Sequence, residues 1–237
     1  MPASDAARCF ALVPCAGVGE RAGLGLPKQY ARIAGRTLAV HTLAALARVP
    51  RLQATLVVLA PGDAQFEMPD AVTDASRLWV AACGGATRAA TVANGLAELQ
   101  RRGAADDDWV LVHDAARCLL QPAWVDRLID ACRDDAVGGL LALPLSDTLK
   151  QAEDGRVQRT LPRGDKWAAQ TPQMFRLGLL RRALQHAGPA VTDEASAIEA
   201  LGHRPRLVPG ELENFKITWP QDLALAERLL AHRGAPA

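Results

Sequence analysis

The chain has 237 residues, 27 basic and 26 acidic side chains, a formal net charge of +1, and 49% hydrophobic residues. That length suits one large domain and is cramped for two, and the composition is that of a folded protein rather than a disordered one. A balance near zero argues against bulk electrostatic binding to nucleic acid or membrane, while leaving room for a local basic site.

Five cysteines (Cys9, Cys15, Cys83, Cys118, Cys132) show no CxxC spacing. This speaks against a zinc site or a disulfide framework and for buried thiols in a reducing compartment. Residues 1–8 lack the apolar core of a signal peptide, and no window has the length of an apolar membrane span, so a cytoplasmic location is expected. Only four of the basic residues are lysine (Lys28, Lys150, Lys166, Lys216). Where arginine is the default, each lysine asks whether a compact ammonium is required there.

In chain order, the apolar run Cys9–Pro14 predicts a buried first strand that ends at Cys15-Ala16-Gly17. Helical spacing covers Leu38–Ala47. Thr55–Ala60 is β-branched and apolar and stops at Pro61-Gly62-Asp63, a turn signal. Arg77–Cys83 predicts a strand, Thr87–Leu99 a helix, Trp109–His113 a strand, Trp124–Cys132 a helix and Gly138–Leu143 a strand. Strands alternating with helices imply an α/β fold with a mostly parallel sheet. Because the strands lack polar alternation, helices should cover both faces. Between Leu145 and Lys166, two short β-capable pieces (Thr148–Gln151 and Arg156–Leu161) flank Asp154-Gly155, a hairpin signal. This piece is too polar for a core of its own and predicts an arm, residues 145–166, on a single domain spanning 1–237. Trp167–Phe175 returns to the body. Helices are expected at Leu177–His186, Asp193–Leu201 and Pro220–His232, with Thr218 capping the last. Arg206–Val208 reads as a short strand and Phe215–Thr218 as extended.

The first strand runs into Gly17-Val18-Gly19-Glu20-Arg21-Ala22-Gly23, a formal match to the dinucleotide fingerprint. That fingerprint needs an immediate helix and an acid at the tip of the second strand. Here Gly23, Gly25 and Pro27 block the helix, and the second strand ends Leu59-Ala60-Pro61. A longer glycine loop carrying Arg21 and Lys28 suits a triphosphate instead, since glycines let backbone N–H groups approach phosphate oxygens. The fourth strand closes on Val112-His113-Asp114-Ala115-Ala116-Arg117. Asp114 then stands at a strand end, where ligands bind in such sheets and where a carboxylate can hold Mg²⁺ or a substrate hydroxyl. His113 reads as a residue that orients this loop rather than as a base.

These segments resemble those of the 2-C-methyl-D-erythritol 4-phosphate cytidylyltransferases. Residues 12–29, LVPCAGVGERAGLGLPKQ, resemble the family's PAAGxGxRxxxxxPKQ signature. Val112–Arg117 (VHDAAR), Pro144–Lys150 (PLSDTLK), Gln170–Phe175 (QTPQMF), Thr192–Glu199 (TDEASAIE) and Asn214–Asp222 (NFKITWPQD) follow in the family's order. The resemblance implies a Rossmann-like nucleotidyltransferase sheet whose arm exchanges across a homodimer. It implies transfer of CMP from CTP to a polyol phosphate with Mg²⁺, in the non-mevalonate isoprenoid pathway.

Position by position, the resemblance makes Arg21 and Lys28 the cations that stabilise the transition state. Gly17 and Gly19 lie along the triphosphate, and Cys15, Ala16, Gly85 and Thr91 cup the cytosine and ribose. Asp114 stands beside metal and substrate, with Arg117 in the same motif, and Lys216 positions the acceptor phosphate. Thr148 and Arg163 reach the neighbouring subunit's substrate from the arm, and Thr171 and Thr192 place hydroxyls near it. Cys15 replaces a usual Ala, Ala86 an acidic residue, Cys118 a Pro and Lys166 a Leu, and Arg159 rivals Arg163 for the arm's role. The alternatives are the sister activity on ribitol 5-phosphate, a non-catalytic nucleotide-binding protein, and an NAD enzyme, the last disfavoured by the missing second-strand acid.

Overall fold

The structure, a computed structural model, describes residues 7–17, 27–69, 74–186 and 191–234. Its centre is a seven-stranded sheet built from β1 (Cys9–Pro14), β4 (Leu52–Val58), β5 (Leu78–Ala81), β6 (Trp109–Val112), β7 (Gly138–Pro144), β10 (Trp167–Arg176) and β11 (Arg206–Pro209), in the order β11-β7-β10-β6-β1-β4-β5. The β1, β4, β5 and β6 pairings are parallel, as is β11 with β7. β10 runs antiparallel to both β6 and β7. This is the expected mostly parallel, Rossmann-like α/β fold.

The period-2 geometry of a strand divides the apolar runs between two faces. Ala11 and Val13 of β1 join one core with Leu43 and Leu46 of α1 (Leu38–Ala47) and Val125 and Leu128 of α3 (Pro122–Cys132). Phe10 and Leu12 join the other, with Val92, Leu96 and Leu99 of α2 (Arg88–Arg101), Leu180 of α4 (Leu177–His186) and Ile198 of α5 (Glu194–Ala200). Fully buried side chains of this size each contribute about 1.5–3 kcal/mol. Both faces are covered, as the largely apolar strands β1, β6 and β7 require.

Helix starts follow local chemistry. The Thr37 and Thr87 hydroxyls cap α1 and α2, and Asp193 forms a capping box with Ser196 at the start of α5. α6 (Pro220–Gly234) differs from the expectation at its cap. The Asp222 carboxylate accepts from the N–H groups of Thr218 and Trp219, while the Thr218 hydroxyl donates to the Lys216 carbonyl. Phe215–Thr218 joins no sheet; its Ile217 N–H donates to the Ala116 carbonyl at 2.9 Å. A small hairpin, β2 (Arg32–Ile33) with β3 (Arg36–Thr37), turns through Ala34 and Gly35, both at positive φ.

The arm forms as a hairpin of β8 (Leu149–Glu153) and β9 (Arg156–Leu161), which pair only with each other and are largely exposed. Asp154 and Gly155 sit at φ 49° and 74°, the double left-handed turn that Asp-Gly favours. At its root the Leu145 N–H donates to the Lys166 carbonyl at 3.1 Å.

Candidate active site

The ends of β1 and β6 are adjacent in the sheet, and the chain leaves them in opposite directions, which opens a crevice at their carboxyl edge. A cavity of about 750 Å³ lies there, within the size range of small-ligand sites. It gathers Ala16 and Gly17 after β1, Lys28 and Gln29, Gly85 to Arg88 and Thr91 at the start of α2, Asp114 after β6, and Lys216 and Thr218 before α6.

The side after β1 is held by main-chain bonds. Gln29 Nε2 donates to the carbonyls of Cys15 and Gly17, both at 2.9 Å, and so anchors the outgoing chain beside Lys28. Lys28 Nζ donates to the Ile217 carbonyl at 3.3 Å, so the signature lysine and the 215–218 segment meet. Gly85 N–H donates to the Thr91 hydroxyl, which donates to the Thr87 carbonyl at 2.9 Å. A Cβ on Gly84 would overlap the Ala16 methyl and lie 2.8 Å from the Leu59 carbonyl oxygen, so close packing requires glycine there. Cys15 is buried beneath this wall, and burial pushes its thiol up to about 12.

The side after β6 is built from charges. Asp114 Oδ1 accepts from Arg88 Nε at 3.0 Å and Oδ2 from Lys216 Nζ at 2.7 Å. Burial alone would raise its pKa, but Arg88, Lys216 and Arg117 hold the carboxyl well below the usual range. His113 is fully buried. Its Nε2 lies 3.2 Å from the Arg117 carbonyl, which can only accept, so Nε2 carries the hydrogen and Nδ1 accepts from the Thr171 hydroxyl at 3.0 Å. Burial pushes the imidazole down to about 4, so the ring is neutral and orients the loop.

The predicted site residues separate into groups. Ala16, Gly17, Lys28, Gly85, Thr91, Asp114 and Lys216 line one cavity. Gly19 and Arg21 lie outside the described residues. Thr171 and Arg117 support the Asp114 loop from behind rather than lining the cavity. The Thr171 hydroxyl accepts from the Asp114 N–H at 3.1 Å, and Arg117 donates to the carbonyls of Asn214 at 2.6 Å and Ala169 at 3.2 Å. Thr192 lies in the turn before α5, its N–H on the Ser196 hydroxyl. On the arm, Thr148 and Arg163 line no part of this cavity. Arg163 reaches back to the Ser146 carbonyl, whereas Arg159 is held by Gln151 within the hairpin. Arg88, Gln29 and Glu194 are site residues that the motif reading did not single out, although Gln29 and Glu194 stand inside quoted segments.

Among the described residues no three histidine, cysteine or acidic side chains cluster as a metal site. Asp114 is, among the described residues, the one carboxylate lining the cavity. That fits a Mg²⁺ carried largely by substrate phosphates and water, with one protein carboxylate, better than a dedicated metal cage. No described helix is long and apolar enough to cross a membrane.

The profile of the 2-C-methyl-D-erythritol 4-phosphate cytidylyltransferase family matches residues 9–232. The chain is 52% identical over 235 residues to the protein of that name from Paraburkholderia phytofirmans, covering 96% of this chain and 98% of that one. It is 61% identical over 236 residues to the bifunctional enzyme IspD/IspF of Albidiferax ferrireducens, covering 99% of this chain but 56% of that protein, so it spans about half the bifunctional relative. A crystal structure of 4-diphosphocytidyl-2C-methyl-D-erythritol synthase superposes with a TM-score of 0.83 at 42% identity, over 94% of this chain and 99% of that one. With three of its signature segments lining one strand-end cavity and the family profile matching nearly the whole chain, the chain belongs to the 2-C-methyl-D-erythritol 4-phosphate cytidylyltransferase family.

Proposed function

We propose that this chain transfers CMP from CTP to 2-C-methyl-D-erythritol 4-phosphate, giving 4-CDP-2-C-methyl-D-erythritol and pyrophosphate in the non-mevalonate route to isoprenoids. The observation that carries this reading is the convergence of Lys28, Asp114 and Lys216 on one cavity beside a wall of small residues, in a chain of this family. The acceptor's phosphate oxygen is already anionic and attacks the α-phosphorus as pyrophosphate departs, so no general base is needed. Catalysis then consists of aligning two anions and stabilising the charge that builds on the α-phosphate. Lys28 serves that charge as a mobile point charge, with Arg21 as its partner. Lys216 holds the acceptor phosphate, and Asp114 fixes the ammonium of Lys216. The neutral imidazole of His113 keeps the Asp114 loop in place and takes no proton from substrate.

Small neutral residues and main-chain groups suit a pyrimidine and its ribose, so Ala16, Gly17, Gly85 and Thr91 form the nucleotide wall, with Gly19 beside the triphosphate and Cys15 packing beneath. When bound with CTP, Mg²⁺ would supply further neutralisation of the triphosphate, with Asp114 as its protein carboxylate. The arm, 145–166, exchanges in a cytoplasmic homodimer, where Thr148 and Arg163 contact the partner's acceptor with Thr192 nearby. The exposure of both arm strands supports this reading. The deciding assay incubates the chain with CTP and Mg²⁺ plus each acceptor in turn. Pyrophosphate release with methylerythritol phosphate is expected; release with ribitol 5-phosphate alone would assign the sister activity.

A further inference from the structure

The Glu194 carboxylate, in the first turn of α5, is 1% exposed. A charge that deep is costly unless it is paired and hydrogen-bonded. Its partner is Arg88, the first residue of α2, whose Nη1 and Nη2 donate to Oε1 at 2.6 Å and Oε2 at 3.1 Å. This is the parallel, two-pronged pairing that guanidinium makes with carboxylate. The Nε of the same group donates to Asp114 at 3.0 Å, and the other oxygen of Asp114 holds Lys216 at 2.7 Å. One planar cation thus joins three elements that approach the cavity from different parts of the chain.

We propose that Arg88 is a positioning residue of the transfer reaction. It locks the start of α2 on the nucleotide wall to Asp114 and to the segment carrying Thr192 and Glu194, so that Lys216 meets the acceptor at a fixed distance from the nucleotide. The proposal rests on the reading of Lys216 as the ligand of the acceptor phosphate. Three donors of Arg88 go to carboxylates in a fixed fork, so it acts on substrate through Asp114 and Lys216 rather than by contact. Lysine offers a point charge without that fork and cannot hold both carboxylates in one plane.

The test compares steady-state kinetics, CTP binding by calorimetry and melting temperature for the parent chain, Arg88→Lys, and the double variant Arg88→Gln/Glu194→Gln. The double variant removes both buried charges together, so no orphan carboxylate is left to unfold it. In both variants the acceptor KM should rise by about 10-fold to 100-fold, as expected when a reacting group is misplaced, while the CTP Kd stays within about threefold. Glu194→Gln alone, which keeps Arg88 on Asp114, should recover most of the acceptor affinity. A parental acceptor KM in either Arg88 variant overturns the proposal, as does a melting defect with kcat and KM unchanged. Failure of the functional reading would show elsewhere, as a parent chain that releases no pyrophosphate with any polyol phosphate.

Discussion

On one side of the cavity, from Ala16 and Gly17 to Gly85 and Thr91, the wall is made of small neutral residues tied by main-chain bonds. On the other, Asp114, Arg88 and Lys216 form a chain of charges closed on the buried Glu194. The first wall is fixed by close packing: a Cβ added at Gly84 or Gly85 would collide with Ala16 or Ala90. The second is fixed by paired charges, and charges held in place beforehand need no reorganisation when a ligand arrives. At Gly84 and Gly85 the first wall therefore admits no larger side chain. The second depends on the exact chemical group at each position.

Predictions can separate the walls. The largest effect is expected at the two signature cations. Lys28→Ala and Arg21→Ala should lower turnover by about 10³-fold, the scale of losing a preorganised charge donor, with melting unchanged; near-normal turnover in Lys28→Ala would remove the central cation from the mechanism. Next, Lys216→Ala should raise the acceptor KM by about 10-fold to 100-fold and leave CTP binding nearly untouched. An equal loss of CTP affinity would mean that the two walls are one. Thr91→Ala withdraws the hydroxyl from the Gly85 N–H. One hydrogen bond contributes about 1 kcal/mol, so CTP should bind about fivefold more weakly with the acceptor KM unchanged; Thr91→Ser should restore it.

The smallest effect on activity should come from Asp108, remote from both walls. Its buried carboxylate accepts from Arg8 Nη2 at 2.6 Å and from the Arg8 and Ala105 N–H groups. Burial alone would raise its pKa, but these bonds hold the carboxyl below its ordinary value. Its folded pKa being depressed, its contribution to stability is complete above the unfolded pKa of about 4 and is lost as pH falls through the folded value. Asp108→Asn should cost about 1.5–3 kcal/mol in denaturant melts at pH 7. The difference from the parent should shrink on acidification, with kcat and both KM values unchanged.

Most of the sheet is legible because β1, β6 and β7 are apolar runs ended by glycine, proline or a polar cluster, whereas β10, with Gln170, Thr171 and Gln173 in its middle, carries no apolar run and no strand is expected there. The arm was legible because Asp-Gly interrupts a polar stretch. That Ala16 and Gly17 line the cavity follows from the glycine loop that the first motif spells out. What escaped was pairing at long range. Arg88 and Glu194 are separated by 106 positions, and no local period links them. In a chain where arginine is the default cation, Arg88 carried no compositional signal, unlike Lys28 and Lys216. The β2–β3 hairpin was missed because strands of two residues are too short to show alternation. The motifs also contain Thr171 and Arg117, whose bonds to the Asp114 N–H and to the Asn214 and Ala169 carbonyls join segments far apart in the chain and leave no local signal.

The antiparallel course of β10 has an architectural consequence. β7 leaves the sheet at Pro144, and β10 re-enters opposite it at Trp167. Both events fall on the edge where β1 and β6 end, so a chain inserted between them departs from and returns to the rim of the cavity. A helical crossover to a parallel strand would have carried the chain to the far edge before its return. The reversal makes this junction a port. A hairpin of any length can be extended from it while the sheet's register stays unaltered.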